Sequence, residues 1–190
     1  IFRDTFQSIL GTDVVTDLKE VEKAKFEERN KPFFENTYSD KSHFVFTVPK
    51  EKELSMWLGG RLGNCFRPKG KCTRVSLILD HSYAANVTVI FDINEGQPQK
   101  VVGAVWWRHT DSEKNGVAPI VIEWIEFLSR PQEREREDSQ EKMTQIWKSV
   151  KSYFNNNHKG DLYIRSCFFD YYNNKYKIFN PMSQKKKLVF

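Results

Sequence analysis

Between residues 86 and 94 the chain alternates Val87, Val89, Phe91 and Ile93 with Thr88, Ile90, Asp92 and Asn94, the period of two that a pleated segment requires. Glu95-Gly96-Gln97-Pro98 supplies turn residues, and KVVGAVWWRHT over 100–110 supplies a second strand, so the pair is predicted to be an antiparallel hairpin. After a polar loop through Asn115-Gly116, residues 117–128 (VAPIVIEWIEFL) form a nearly continuous apolar run. Such a run belongs in the middle of a sheet, covered on both faces. Met143, Ile146, Trp147, Val150 and Phe154 then recur at steps of three and four, the stripe of a long amphipathic helix. Asp138 with Glu141 gives it a capping-box start, and Asn155, Asn156, Asn157 and Gly160 end it. Residues 161–169 return as a strand. A strand–helix–strand crossover of this length places that strand parallel and adjacent to 117–128.

Upstream the pattern is helical. Residues 4–10 read as a short helix closed at Gly11, and a longer one runs from Thr12 or Asp13 to about Asn30 with Val14, Leu18 and Val21 as its stripe. Lys31-Pro32 is predicted to break it, leaving an irregular aromatic-bearing loop to Ser42. In 43–48 Phe44, Phe46 and Val48 share one side of a short strand. Pro49 opens a helix over 50–58, with Leu54, Trp57 and Leu58 turned inward and Gly59-Gly60 as its stop. Residues 75–80 fit a strand or one buried helical turn equally well. No internal repeat is evident. The organisation expected is an N-terminal helical arm over 1–42 and a mixed α/β domain over 43–190, forming one compact unit.

Composition narrows the class. With 15 Phe, 7 Tyr and 5 Trp among 190 residues the core will be aromatic, and a chain of this length can bury a sizeable one. A net charge of +5 and a pI near 9.0 are too mild to mark a dedicated nucleic-acid binder. Three cysteines imply no disulfide framework and point to a reducing intracellular, cytoplasmic setting. No run of apolar residues is long enough for a membrane span. The start at Ile1 suggests a fragment or a processed chain.

Few residues announce chemistry. Cys65 lies between Arg61 and Arg67, which favour a thiolate, and His81 or His109 is available as a base. Nothing in the spacing demands that arrangement, and all three cysteines are better read as small fillers or loop thiols. Cys65, Cys72 and His81 match no zinc pattern, so no metal is expected. The basic loop 61–74 carries Arg61, Arg67, Lys69, Lys71 and Arg74 with Phe66 among them, a phosphate- and base-contacting composition. Trp106 and Trp107 fall on opposite faces of one strand, leaving one available as an exposed partner surface. Asn86-Val87-Thr88 fits a glycosylation acceptor but opens a core strand, and is discounted. Glu123 and Glu126, three apart, point to opposite faces of an unbulged strand, Glu126 sharing its side with Ile120, Ile122 and Trp124.

The order hairpin, central strand, amphipathic helix, parallel strand resembles the core of the GNAT (Gcn-related N-acetyltransferase) superfamily over about half the chain. GQPQKVVGAVWW at 96–107 is similar to that family's turn into its third strand, and VIEWIEF at 121–127 to its fourth. The resemblance implies a mixed, largely antiparallel twisted sheet with helices packed on it. It also implies an acyl-CoA site at the end of the fourth strand, where Phe127, Leu128 and Arg130 would lie against the donor. Glu126 would be the base, and Tyr172, among Tyr171, Tyr172 and Tyr176, the acid for the leaving group. The departure is in the phosphate loop. Family members cradle the pyrophosphate with a glycine-rich turn, whereas SRPQERERED at 129–138 has no glycine, a proline, and four carboxylates among its arginines. On that ground the expectation is a non-catalytic recognition or regulatory domain, with no cofactor, that holds a protein partner through an aromatic cleft and the basic loop. An acyl-CoA-dependent N-acyltransferase with a non-standard loop is the alternative, and a nucleic-acid-binding module ranks third.

Overall fold

The computed structural model describes residues 20–48, 54–71, 86–110, 113, 116–128 and 137–165. The expectations for residues 4–10, 75–80 and 129–136, and for Cys72, Arg74, His81, Cys167, Tyr171, Tyr172 and Tyr176, lie outside them.

Six strands form one sheet in chain order: β1 (Thr37–Ser39), β2 (His43–Val48), β3 (Asn86–Asn94), β4 (Gln97–His109), β5 (Ile120–Phe127) and β6 (Leu162–Ile164). Every neighbouring pair is antiparallel except β5 with β6, which are parallel. That one parallel pair brackets the long helix, as the crossover rule requires. The fold is therefore α+β with a mixed sheet, as the sequence indicated.

Among the described residues three helices cover the sheet: α1 (Glu20–Glu35), α2 (Leu54–Leu62) and α3 (Glu137–Asn157). The apolar stripe of α3 places Met143, Ile146, Val150 and Phe154 against Val45, Ile90, Val105, Trp107, Ile120, Ile122, Ile125 and Phe127, and Phe33 of α1 enters the same layer. On the opposite face Leu58 and Leu62 of α2, with Phe66, pack on Val87, Val89, Val101, Ala104 and Trp106. Trp106 and Trp107 are both fully buried, because each face of the sheet has its own helical cover. Neither is left as a partner surface.

Five local expectations are corrected. The N-terminal helix does not break at Pro32 but continues to Glu35. Its last turn is held from outside: Tyr153 donates to the carbonyl of Phe33 at 2.6 Å, and the Asn36 amide donates to that of Pro32 at 2.8 Å, so carbonyls that a helix end leaves without partners are satisfied. The stretch read as an irregular loop contains β1. Asp40 shapes the β1–β2 turn by accepting the amides of Ser42 and His43, each at 2.7 Å. In α2 the helix runs through Gly59-Gly60, and its stop is Gly63 at φ 69°, with the Asn64 amide on the Gly59 carbonyl at 3.0 Å. That is the left-handed glycine cap joined to a six-to-one bond. Trp57, expected inward, is 49% exposed. Helix α3 begins at Glu137, so Asp138 lies inside it rather than at its cap.

Candidate functional site

The site is set by an irregularity in β5. Trp106 pairs with Trp124 and Trp107 with Ile122, so Glu123 is an extra residue with no opposite number on β4. A bulge of this kind shifts the alternation of side chains by one. Ile120 and Ile122 before it, and Ile125 and Phe127 after it, all face α3, while Trp124 joins the α2 layer. The expectation that Glu126 shares its side with Ile120 and Ile122 is therefore wrong. The bulge also brings Glu123 and Glu126 to the same side of the sheet rather than to opposite sides: Glu123 is bonded to Arg108, the neighbour of inward-facing Trp107, and Glu126 to Trp124.

The two carboxylates are held differently. Glu123 accepts Arg108 Nε at 2.8 Å and sits 3.6 Å from Arg165 Nη1, an ion-paired group largely withdrawn from solvent. Glu126 accepts the indole N–H of Trp124 at 3.0 Å, a bond that orients the carboxylate. Trp124 is in turn covered by Phe66, ring centroids 4.8 Å apart, and Phe66 stands edge-on to Trp106 at 5.2 Å. Cys65 and Leu128 are half-buried against the same layer.

Phe66 belongs to the basic loop, so the structure brings Arg61, Arg67, Lys69 and Lys71 to the face that carries Glu126. The loop has a fixed form. Asn64 Oδ1 accepts the Phe66 amide at 2.9 Å, and the Gly70 amide donates to the Arg67 carbonyl at 2.8 Å. A Cβ on Gly59 would stand 2.5 Å from the Arg67 nitrogen, so only glycine lets the loop fold back on α2 this closely.

Of the other residues singled out in the sequence, Phe127 is buried under α3, and Leu128 donates its amide to the Val102 carbonyl at 2.7 Å. Asn86 is buried and donates to Asn30 at 2.8 Å. Arg130 and Tyr172 lie outside the described residues. Among the described residues no cluster of His, Cys, Asp and Glu is arranged to hold a metal, and no helix is long and apolar enough to cross a membrane. Surface depressions of about 240 and 400 Å³ lie on the outer faces of α3 and α1, and neither is lined by Glu126.

Two polar clusters were not legible in the sequence. Ser149 donates to Asp40 at 2.6 Å and lies 2.9 Å from His43 Nδ1, tying α3 to β2. Burial tends to raise the Asp40 pKa, but the bonds from Ser149, Ser42 and His43 outweigh it and hold the carboxyl below its ordinary value. The Ser149 hydroxyl is buried and bonded to a carboxylate, so this trio is a clasp and not a nucleophile. At the far end of the sheet His109 and His158 stand edge to face, 5.6 Å apart, and both Nε2 atoms are buried without a hydrogen-bond partner among the described residues. Burial pushes both imidazoles below their ordinary pKa, His158 to about 4.

No protein-family model matches the chain, and no curated protein matches it. Solved structures similar to it include a ribosomal-protein-alanine N-acetyltransferase from Brucella melitensis biovar Abortus 2308, at 11% identity and a TM-score of 0.45 over 78% of this chain and 97% of that one. An aminoglycoside acetyltransferase from an uncultured soil metagenomic sample is similar at 12% identity and a TM-score of 0.41, over 78% and 95% of the two chains. At such identities the likeness concerns the fold and not the activity. The strand order and the parallel pair around α3 agree with the resemblance to the GNAT core drawn from the sequence, in an α+β fold with a mixed sheet.

Proposed function

We propose that the protein is an acyl-CoA-dependent N-acyltransferase in which Glu126 is the general base. The observation that carries this reading is the bulge at Glu123, which turns Glu126 onto the α2 side of the central strand and orients it through the Trp124 indole. A base needs an acceptor geometry fixed in advance. The Trp124 indole orients Glu126, whereas Glu123 is engaged by two arginines. In the reaction the amine loses a proton to Glu126, its nitrogen bonds to the thioester carbonyl carbon, and the carbon–sulfur bond breaks to release the thiol. Arg130, Arg134 and Arg136 are the cations available to the donor's phosphates, in place of the glycine amides the sequence lacks.

Thermal unfolding with and without acetyl-CoA, paired with an acyl-transfer assay over a panel of amines, tests the reading. A donor at 100 times its dissociation constant adds roughly 2.7 kcal/mol of stability. Glu126→Gln is expected to keep the melting temperature and the donor shift, and to lose about 10²–10⁴ in transfer rate. Absence of any donor shift would return the chain to the non-catalytic recognition role. One observation favours that second reading: among the described residues Trp57 is the exposed large hydrophobic one, with the Arg61 guanidinium 5.2 Å above its ring.

A further inference from the structure

We infer that residues 54–71 form a docking surface for an acidic peptide that carries the acceptor amine to Glu126. This deepens the acyltransferase reading and rests on it for the role of Glu126. The charge is one-sided. Residues 54–71 hold Arg61, Arg67, Lys69 and Lys71 and no carboxylate, which is nearly all of the chain's formal surplus of +5. All four cations are exposed, and among the described residues Lys69 and Lys71 make no ion pair.

The display is also rigid. The Gly63 cap, the Asn64 side chain on the Phe66 amide, and the close backbone approaches at Gly59 and Gly70 fix the loop. A Cβ on Gly70 would stand 2.2 Å from the Cys65 carbonyl oxygen. Charges held on such a frame bind an oppositely charged ligand without the entropy of ordering a loop. The frame is anchored to the site itself: Phe66 lies on Trp124, and Trp124 holds Glu126. The cations and the base thus share one side of the sheet, joined through Phe66 and Trp124. At the outer margin Trp57, with Arg61 over its ring, adds a flat apolar platform.

Chemistry selects a peptide over a nucleic acid. A peptide α-amine, with a pKa near 8, is within reach of a carboxylate base and becomes a strong nucleophile once deprotonated. The exocyclic amines of nucleobases are conjugated into the ring and lack that nucleophilicity. The surface, moreover, is one short helix and one loop, not the extended basic track that follows a phosphate backbone.

The test is a binding measurement with no acyl donor present, so that catalysis does not enter. A Glu-rich peptide with a free N-terminus and a C-terminal dye is titrated by fluorescence anisotropy against its Gln-for-Glu counterpart, at low and at physiological salt. The Glu peptide is expected to bind at least about 10-fold tighter and to weaken as salt rises. The double variant Lys69→Glu/Lys71→Glu is expected to lose that preference at an unchanged melting temperature. Lys71→Gln serves as the readout should the double variant melt early. Equal binding of the two peptides overturns the proposal, and so does a single-stranded oligonucleotide that competes at lower concentration than the peptide. An enzyme that acylates amines yet ignores peptide charge would overturn the docking surface alone and leave Glu126 standing.

Discussion

The hydroxyl of Tyr153 on α3 meets the carbonyl oxygen of Phe33 on α1 at 2.6 Å, and this bond ends a line of polar groups that crosses the core. The Trp107 indole donates to Thr88 at 2.8 Å, the Thr88 and Thr47 hydroxyls lie 2.8 Å apart, and the Thr47 amide donates to the Tyr153 oxygen at 3.0 Å. Two helices and three strands are joined by it. Burial, partly offset by the bonds from Thr47, pushes the phenol up to about 12, so it stays a donor at neutral pH. Tyr153→Phe removes the acceptor of one buried amide and the donor to one buried carbonyl, and is expected to cost about 1–3 kcal/mol in urea unfolding with an unchanged m-value. Combined with Thr88→Val the loss should be less than additive, since both variants break the same line.

The histidine pair makes stability depend on pH. His158 has a folded pKa near 4 because of burial and the neighbouring His109, against an ordinary value near 6.5, so the unfolded chain takes up the proton first. Its stabilising contribution is complete above about pH 6.5 and is lost as the pH falls toward 4, roughly 1–2 kcal/mol after allowing for its partial exposure. His109 is shifted in the same direction and adds to the slope. Urea midpoints measured across that window should fall with acid in the wild type and fall less in His158→Gln. Equal slopes would show that the pair does not titrate as described.

Gly59→Ala places a methyl group against the backbone of Phe66 and Arg67, at 2.5–2.6 Å. Backbone cannot yield as a side-chain tip can. The variant is expected to lose about 1–3 kcal/mol in thermal unfolding and to loosen the basic loop, which limited proteolysis near residues 63–71 would report. Gly60, with nothing within 4 Å of its added Cβ, is the control: Gly60→Ala should be neutral or slightly stabilising in the same helix.

Glu123→Gln separates the two carboxylates. It leaves Arg108 without its charge partner inside a partly buried pair, at an expected cost of about 0.5–2 kcal/mol in chemical unfolding. Acyl transfer should stay within several-fold of wild type. A collapse of transfer in Glu123→Gln with little change in Glu126→Gln would exchange the roles assigned here.

The long-range arrangement was readable because each element carried a strong period. The stripe of α3, the two-residue alternation of β3 and the apolar run of β5 placed five of the six strands and the central helix, and the crossover rule supplied the parallel pair. What escaped was governed by partners distant in sequence. Pro32 sits inside a helix because Phe33 is packed in the core and Tyr153, 120 residues away, satisfies its carbonyl. Gly59 and Gly60 resemble a stop signal, yet the stop is Gly63, and Gly59 is required by contact with Phe66. The bulge did leave a trace. Ile120 and Ile122 are separated from Ile125 and Phe127 by an odd step, and an apolar face that changes step within one strand is reconciled by one extra residue, which the pairing locates at Glu123. The His109–His158 and Asp40–Ser149–His43 groups left none, since each is assembled from separate elements.

The insertion at Glu123 keeps two halves of one strand in step with a single core. Deleting that residue would leave Ile122 and Trp124 to alternate as they do in an unbulged strand, with Ile125 and Phe127 still beneath the long helix, and would remove the carboxylate that holds Arg108. One missing codon would thus straighten the central strand without inverting it, whereas a second residue inserted into the regular part of its ladder would turn its end over.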